Sequence, residues 1–214
     1  MASERGPRLI DVSPLVSERI GVFPGDTPYT REELWRIAQG DLLDLSRIST
    51  TVHLGAHADA PSHYRLGGPP IDQRPLELYY GPCQVIDAPV ARGGRVRPAD
   101  LRGEVRAPRV LVRTGSFPDP EAWNGDFAGL SAELVEYLHA RGVRLVGIDT
   151  PSIDPQHDKQ LESHNAVADR DLAVLEGLRL AEVEPGEYLL AAFPLRLEGA
   201  DAAPVRAVLI DPRG

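Results

Sequence analysis

The sequence predicts one mixed α/β domain, and three observations support this prediction. The chain has 214 residues, which is a normal length for a single domain. Its 20 glycines and 20 prolines are spread evenly, which favours many short elements joined by tight turns over a helix bundle. The order strand, helix, strand near the middle of the chain indicates a parallel crossover. Since no internal repeat or linker divides the chain, we expect one domain over residues 1–214.

Short apolar runs bounded by glycine or proline predict the strands. In chain order these runs cover residues 8–14, 45–52, 82–90, 109–115, 144–150, 187–195 and 204–211. The run 45–52 is rich in β-branched residues and alternates, so we expect a half-buried strand that leads directly into the histidines that follow. Residues 21–29 contain Pro24, Gly25 and Pro28 and predict an ordered loop. Residues 30–40 fit either a helix or an edge strand.

One helix is predicted between the runs 109–115 and 144–150. Ser131 is placed to cap its first turn, and Gly142 is placed to end it. Apolar residues recur at helical spacing at Leu130, Leu134, Val135 and Leu138. Because a strand lies on either side of this helix, the three elements predict one parallel crossover unit.

Composition and charge exclude several classes of function. The 23 basic and 32 acidic residues give a net charge of −9, which disfavours binding to nucleic acid or to an anionic membrane. The lone Cys83 cannot form an internal disulfide, and the first residues lack the apolar core of a signal peptide. No apolar run reaches the roughly 20 residues needed to cross a bilayer. We therefore expect a soluble, cytoplasmic protein.

Three of the six histidines and one carboxylate lie within an eleven-residue segment: His53, His57, Asp59 and His63. In an extended chain, residues two apart share a face, so all four would point the same way, and Gly55 would leave a gap on that face. Two imidazoles and a carboxylate suit a borderline divalent ion such as zinc. They also match open catalytic sites better than closed cysteine sites. This segment therefore predicts a metal site.

Two other interpretations of this segment compete with the strand. A helix would also bring His53 and His57 together, but it would turn Asp59 away, and Gly55 and Pro61 oppose a helix. Alternatively, the histidines could be separately satisfied surface residues. On the strand interpretation, Pro61 interrupts the strand, so His63 would lie at the mouth of the site. There it could act as a general acid/base or serve as a third ligand.

The remaining histidines differ in what they predict. His139 falls in the last turn of the predicted helix, where an imidazolium is favourable, and His157 lies in a polar loop that favours a solvated side chain. His164 precedes an apolar run that ends at Glu176, just before Gly177. A buried carboxylate needs a partner, so this pair could bind a metal, but the spacing alone leaves the role open.

These residues match a known family. The segment 53–63 resembles the His-x-Gly-Thr-His-x-Asp-x-Pro-x-His motif of the cyclase family of metal-dependent hydrolases, with Ala56 in place of the threonine. It is most similar to the bacterial kynurenine formamidase branch of that family. Further segments that resemble this branch are VFPGDTPY, YYGPCQVID, VLVRT, GIDTPSIDPQ, AVLEG and the closing PLRLEGADAAPVRAVL. The resemblance therefore covers essentially the whole chain.

The resemblance implies a fold and a cofactor. The fold would be a compact α/β (mixed α+β) domain with a curled central mixed sheet or small barrel, helices outside, and assembly as a homodimer. The cofactor would be two divalent metal ions per chain, Zn²⁺ first and Mn²⁺ as the alternative. By the family pattern the ligands would be His53, His57, Asp59, His164 and Glu176. Asp59 and Glu176 would be shared between the two ions.

The resemblance also implies an activity. His63 would be the proton donor and acceptor, and Phe23 would contact the substrate at a position where the branch often has tryptophan. The expected reaction is hydrolysis of the small molecule N-formyl-L-kynurenine to L-kynurenine and formate by a metal-activated water, a step of tryptophan catabolism. The alternative enzyme is an isatin hydrolase or another amidase of the same family. An alternative of another class is a structural or storage metal site on a binding module.

Overall fold

A nine-stranded mixed sheet forms the frame of the computed structural model, which describes residues 6–212. In their order across the sheet the strands are β1 (Arg8–Asp11), β13 (Val208–Asp211), β11 (Gly186–Ala191), β5 (Tyr80–Asp87), β7 (Arg109–Arg113), β9 (Leu145–Ile148), β10 (Ala173–Glu176), β4 (His57–Asp59) and β12 (Ala202–Pro204). The four strands β5, β7, β9 and β10 are parallel, and the others pair antiparallel on either side. The sheet is strongly curled, which confirms the expected fold class.

Two pairs of strands lie outside this sheet. The strands β2 (Thr30–Trp35) and β3 (Leu45–Ser49) form a hairpin, and β6 (Arg95–Val96) pairs in parallel with β8 (Gly129–Leu130). The α-helices of the described chain are α1 (Pro61–Tyr64), α2 (Ala132–His139) and α3 (Glu162–Arg170). Short 3-10 turns occur at Ile37–Gln39, Ile71–Gln73, Leu76–Leu78 and Pro98–Asp100. Between residues 6 and 212 no helix has the length and apolar character to cross a membrane.

The predicted crossover is confirmed. Ser131 caps α2, since its hydroxyl accepts a hydrogen bond from the backbone N–H of Leu134 at 3.1 Å. The chain turns after the helix at Gly142, which has a φ of +80°. Strands β7 and β9 are parallel neighbours, with Arg109 opposite Leu145.

The core lies on both faces of the sheet because successive strand residues point to opposite sides. Val110, Val146 and Val174 face α2 and α3, whose buried residues include Leu134 and Val167. The alternate residues face the inside of the curled sheet and pack with one another; they include Val85, Leu111, Leu145 and Leu175. This inner layer supports β4 and β10, the two strands that carry candidate ligands.

The hairpin corrects one prediction and settles another. Residues 30–40 form a strand followed by a 3-10 turn. Residues 45–49 are a strand as predicted, but every residue of it is exposed, so the prediction of a half-buried strand is wrong. The physical reason is that β3 pairs only with β2 among the described strands, away from the main sheet. Its alternation therefore does not mark a face that packs on the core.

The segment 53–63 is not one strand, so the prediction that its odd positions share a single face is wrong. Only His57–Asp59 is extended and paired. Gly55 breaks the strand with a φ of +56°, and Pro61 begins the short helix α1, which carries His63. Other boundaries also differ: β1 ends at Asp11, and the run 204–211 is divided between the end of β12 and β13.

Candidate metal centre and active site

Strand β4 places His57 and Asp59 on one face, as the alternation predicted. It lies between β10 and β12, and Glu176 of β10 stands directly opposite His57 in the antiparallel register. Ala58, between the two polar residues, points into the core. The pairing of β4 with β10 therefore brings a carboxylate from late in the chain next to the histidine segment.

The turn before β4 fixes the ring of His57. The backbone carbonyl of Gly55 lies 3.0 Å from His57 Nδ1, which donates to it and leaves Nε2 turned towards the carboxylates. Gly177 lies against this turn, and a Cβ atom there would come within 2.0 Å of the Gly55 oxygen. The backbone at Gly177 therefore packs directly against the backbone at Gly55. Glycine at 177 keeps the turn and the end of β10 together.

Helix α3 supplies His164, and a buried carboxylate orients it. Asp154 Oδ2 lies 2.7 Å from His164 Nδ1 and also accepts from the His164 backbone N–H at 3.1 Å. Arg95 in turn binds the other oxygen of Asp154 at 2.6 Å. This leaves Nε2 of His164 facing Asp59 at 3.4 Å and Glu176 at 3.5 Å. Neither Asp154 nor Arg95 was predicted from the sequence.

Asp59 lies at the centre of the cluster. Its Oδ1 faces His53 Nδ1 at 3.1 Å and His57 Nε2 at 3.5 Å, and its Oδ2 faces His164. Glu176 approaches His57 Nε2 at 3.2 Å through one oxygen and accepts from the Ile153 backbone N–H through the other at 2.7 Å. The five residues form two triads that share Asp59, one with His53 and His57 and one with His164 and Glu176.

The donor atoms of this cluster fit a divalent cation. His57 Nε2, His164 Nε2 and both Asp59 oxygens are buried and make no hydrogen bond within the described part of the chain. Buried polar atoms without partners are costly and uncommon, so their convergence calls for a ligand. Imidazole nitrogens with carboxylate oxygens are a donor set suited to zinc and related ions.

The histidines and carboxylates of the cluster shift one another's pKa values. Burial would raise the pKa of Asp59, but the imidazoles of His164 and His53 outweigh burial and hold it well below its usual range. Burial and the charge of Asp59 would raise the pKa of Glu176, yet His164 and His57 lower it overall. Conversely, the carboxylates outweigh burial at His53 and raise its pKa to about 9. The two carboxylates therefore remain ionised and attract positive charge.

A second, more exposed group lies next to this cluster. The ring of His63 lies 4.2 Å from the ring of His53, centroid to centroid. Asp201 Oδ2 accepts from His63 Nδ1 at 3.1 Å and from His53 Nε2 at 3.0 Å. The side chain of His63 is 38% exposed, which agrees with the expected position at the mouth. Asp201 was not predicted as a site residue.

One cavity of about 610 Å³ opens onto the cluster. Phe23 lines it, as expected for a residue that contacts substrate, and packs edge-on against Trp123 at a centroid distance of 5.7 Å. Phe117 lines the same wall, and its ring centroid lies 5.5 Å from that of Trp123. The indole N–H of Trp123 donates to Gln156 at 2.9 Å. Thus an aromatic wall and the cluster of histidines and carboxylates line the same cavity, and the sequence had predicted only Phe23 of this wall.

The two other histidines lie outside this cavity. His139 is exposed at the end of α2, and His157 is exposed in a turn. His139 therefore lies in the last turn of the helix, as predicted, and the exposure of His157 agrees with its interpretation as a solvated side chain.

Comparisons with known proteins agree with this geometry. Residues 10–155 match the family model described as putative cyclase. The chain is 47% identical over 204 residues to a kynurenine formamidase of Bordetella petrii, which covers 94% of this chain and 97% of the relative. A solved structure described as a potential metal-dependent hydrolase with cyclase activity superposes with a TM-score of 0.82 at 29% identity, over 96% of this chain and 98% of that one.

Another solved structure shares the fold. Isatin hydrolase A from Labrenzia aggregata superposes with a TM-score of 0.79 at 22% identity, over 96% of this chain and 94% of that chain. At this identity the similarity concerns the fold alone. The family match and the 47% identical relative carry more information, and together they classify the protein. The chain belongs to the cyclase family of hydrolases, in the branch that contains the bacterial kynurenine formamidases.

Proposed function

We propose that this protein hydrolyses N-formyl-L-kynurenine to L-kynurenine and formate. The observation that carries the proposal is the convergence of buried, unpartnered imidazole and carboxylate atoms at the base of an aromatic cavity. The kynurenine formamidase relative, which aligns over 94% of the chain, supports the choice of substrate.

The metal centre would consist of two divalent ions, zinc or manganese, held by the two triads. The ligands would be His53, His57, Asp59, His164 and Glu176. Asp59 belongs to both triads, and Glu176 would also be shared because it approaches His57 of the other triad at 3.2 Å. Such ions supply a water acidic enough to attack at neutral pH and polarise the carbonyl that is attacked. Asp154 and the Gly55 carbonyl hold the imidazoles of His164 and His57 in position, which preserves the arrangement of donors.

His63 is placed to move the proton that the reaction requires. Its Nδ1 is held by Asp201, so Nε2 is the free ring nitrogen. Cleavage of the formamide bond expels an aryl amine, which must be protonated as it leaves, and a positioned imidazole can supply that proton. Because Asp201 also holds His53, one carboxylate fixes the acid/base residue relative to the metal ligands.

The cavity supports an aromatic substrate. Formyl is the smallest acyl group and offers few atoms to bind, so the aryl part has to provide most of the binding energy. Phe23 and Phe117 present apolar rings to the cavity beside Trp123, and they suit contact with a benzene ring. The size of the cavity and the exposure of His63 also argue against a structural metal site, where the coordination shell is usually closed.

The test of the function is the specificity constant of the metal-loaded protein for N-formyl-L-kynurenine, isatin and N-methylformamide, the last as an aliphatic control. We expect the highest kcat/KM for N-formyl-L-kynurenine. His157→Ala, an exposed residue outside the cavity, is the matched control for substitution of a histidine. A preference for isatin would replace the proposed activity with that of an isatin hydrolase, and hydrolysis of none of the three would refute both.

We also propose that the protein is a homodimer in the cytoplasm. The β2–β3 hairpin carries exposed apolar residues, among them Trp35, Leu42 and Ile48. An isolated two-stranded hairpin is only marginally stable, so a contact that covers it would stabilise it. The hairpin also carries both positive and negative side chains, such as the paired Arg47 and Glu32. A second copy of the chain can cover such a surface. The cytoplasmic assignment rests on Cys83, the only cysteine, which is buried and cannot form a disulfide within the chain.

Analytical ultracentrifugation tests the dimer. The unchanged chain should sediment as a dimer, and Leu42→Glu combined with Ile48→Glu should shift it to a monomer because charges would then enter the apolar contact. Monomeric wild-type protein would refute the proposal.

A further inference from the structure

Arg179 stands out among the residues that line the catalytic cavity. It is the only lysine or arginine among the described residues of the cavity wall. Within the described part of the chain its guanidinium has no hydrogen-bond or ion-pair partner, whereas the less exposed Arg95 and Arg113 are paired with Asp154 and Asp87. The chain carries 32 acidic residues, so a cation without a partner is not explained by a shortage of carboxylates. The cavity wall therefore carries a guanidinium that no described side chain pairs with.

The backbone holds Arg179 in a fixed position. Three successive amides are bound: Gly177 donates to Thr150 at 2.8 Å, Leu178 to Ile148 at 3.2 Å and Arg179 to Val12 at 2.8 Å. Leu178 and Leu180 on either side are 3% and 1% exposed, whereas Arg179 is exposed. Because successive side chains point to opposite sides, Leu178 and Leu180 pack into the core while Arg179 lies on the cavity side.

The spacing between Arg179 and the metal cluster suits the length of the substrate. Glu176 precedes Arg179 by three residues, which separates their Cα atoms by at most about 10 Å. In N-formyl-L-kynurenine seven bonds separate the formyl carbon from the α-carboxylate carbon, a reach of about 8 Å when extended at backbone-like bond lengths. A substrate with its formyl group at the cluster can therefore place its carboxylate at Arg179.

We propose that Arg179 binds the α-carboxylate of the substrate and so selects amino-acid formamides over neutral ones. The guanidinium fork matches a carboxylate and can donate two parallel hydrogen bonds to it. This inference rests on the proposed function and deepens it, because isatin and simple formanilides have no carboxylate to offer. Arg179 is thus a determinant of specificity, at the opposite end of the substrate from the bond that breaks.

The test compares two substrates that differ only in the amino-acid group. These are N-formyl-L-kynurenine and N-(2-acetylphenyl)formamide, which keeps the ring, the ortho ketone and the formamide. The ratio of their kcat/KM values should fall about 10- to 100-fold in Arg179→Gln, the range for losing a hydrogen bond to a charged group. Arg179→Lys should restore part of the ratio. Arg102→Gln, which removes an exposed arginine outside the cavity, should leave the ratio unchanged.

A binding measurement separates this inference from catalysis. The Kd of the product L-kynurenine, measured by calorimetry, should rise about 10-fold or more in Arg179→Gln, and that of 2-aminoacetophenone should not follow it. An unchanged ratio and an unchanged Kd would overturn the role of Arg179 while leaving the formamidase function intact. An equal loss on both substrates would also overturn it, since Arg179 would then act on the part that they share. Failure of the wild type on both substrates would instead refute the proposed function.

Discussion

The inner and outer parts of the site differ in how they are held. The inner part, formed by His57, Asp59, His164 and Glu176, is at most 3% exposed and stands on β4, β10 and α3. The outer part consists of His63, Asp201 and the aromatic wall with Phe23, and it lies on loops and the short helix α1. His53 lies on a loop between the two parts and contacts both Asp59 and Asp201. Regular elements can hold ligands at fixed distances, as metal binding needs. Loops and partial exposure suit proton exchange with water and the entry of substrate.

The largest expected effect comes from breaking the inner part at its centre. Asp59→Ala should lose more bound metal than either His53→Ala or His164→Ala, because Asp59 belongs to both triads. Activity should fall roughly 10⁴-fold or more, since several kcal/mol of charge stabilisation would be lost. Elemental analysis of the purified variants measures the metal, and circular dichroism checks the fold. Equal metal loss in all three variants would mean that Asp59 is not shared.

Removal of His63 should separate chemistry from metal binding. His63→Ala should keep its metal and its fold but lose about 10²–10⁴-fold in kcat, the usual contribution of a positioned acid or base. Steady-state kinetics and elemental analysis on the same preparation check this. If the metal content falls in proportion to kcat, His63 is a ligand, and the division between an inner metal site and an outer proton site is wrong.

A smaller effect is expected at Asp201, the carboxylate that holds both His53 and His63. Asp201→Asn retains the shape of the side chain but replaces a charged acceptor of two imidazole N–H groups. We expect a loss of about 10- to 100-fold in kcat, with KM little changed, as for other groups that orient a ligand or base. Glu198→Gln, an exposed acid three residues earlier, is the control. A loss in KM alone would assign Asp201 to substrate binding.

The smallest effect is expected on the aromatic wall. Phe23→Ala should weaken transition-state binding of an aromatic formamide by about 1–3 kcal/mol. It should affect an aliphatic formamide much less, because only the contact with the aromatic ring is removed. The ratio of kcat/KM values for N-formyl-L-kynurenine and N-methylformamide measures this. An unchanged ratio would remove Phe23 from the substrate contact and leave Trp123 and Phe117 to provide it.

Local spacing predicted part of the site well. His57 and Asp59 share a face because they are two apart on a real strand, and the capped helix α2 and its crossover follow from sequence signals of the same local kind. His53 was assigned to the correct cluster for an incorrect reason. It reaches Asp59 from a loop, after Gly55 has turned the chain, and not along an extended strand.

Contacts between distant parts of the chain could not be predicted from spacing. Glu176 reaches His57 through the pairing of β10 with β4, and Asp201 lies 138 residues from His63 in sequence. The spacing left the role of His164 and Glu176 open, and only the family resemblance assigned them to the metal site; it did not point to Asp201 or Asp154. The failed prediction for β3 has a similar origin: alternation indicates two faces but does not identify the surface against which either one packs.

The central claim is that two triads sharing Asp59 bind two divalent ions that the reaction needs. The most direct measurement is elemental analysis of the purified protein together with formamidase activity, before and after chelation and re-addition of zinc or manganese. We predict close to two ions per chain, loss of activity with the metal, and recovery when it is restored. One ion per chain would remove His164 and Glu176 from their assigned roles, and full activity without metal would contradict the account.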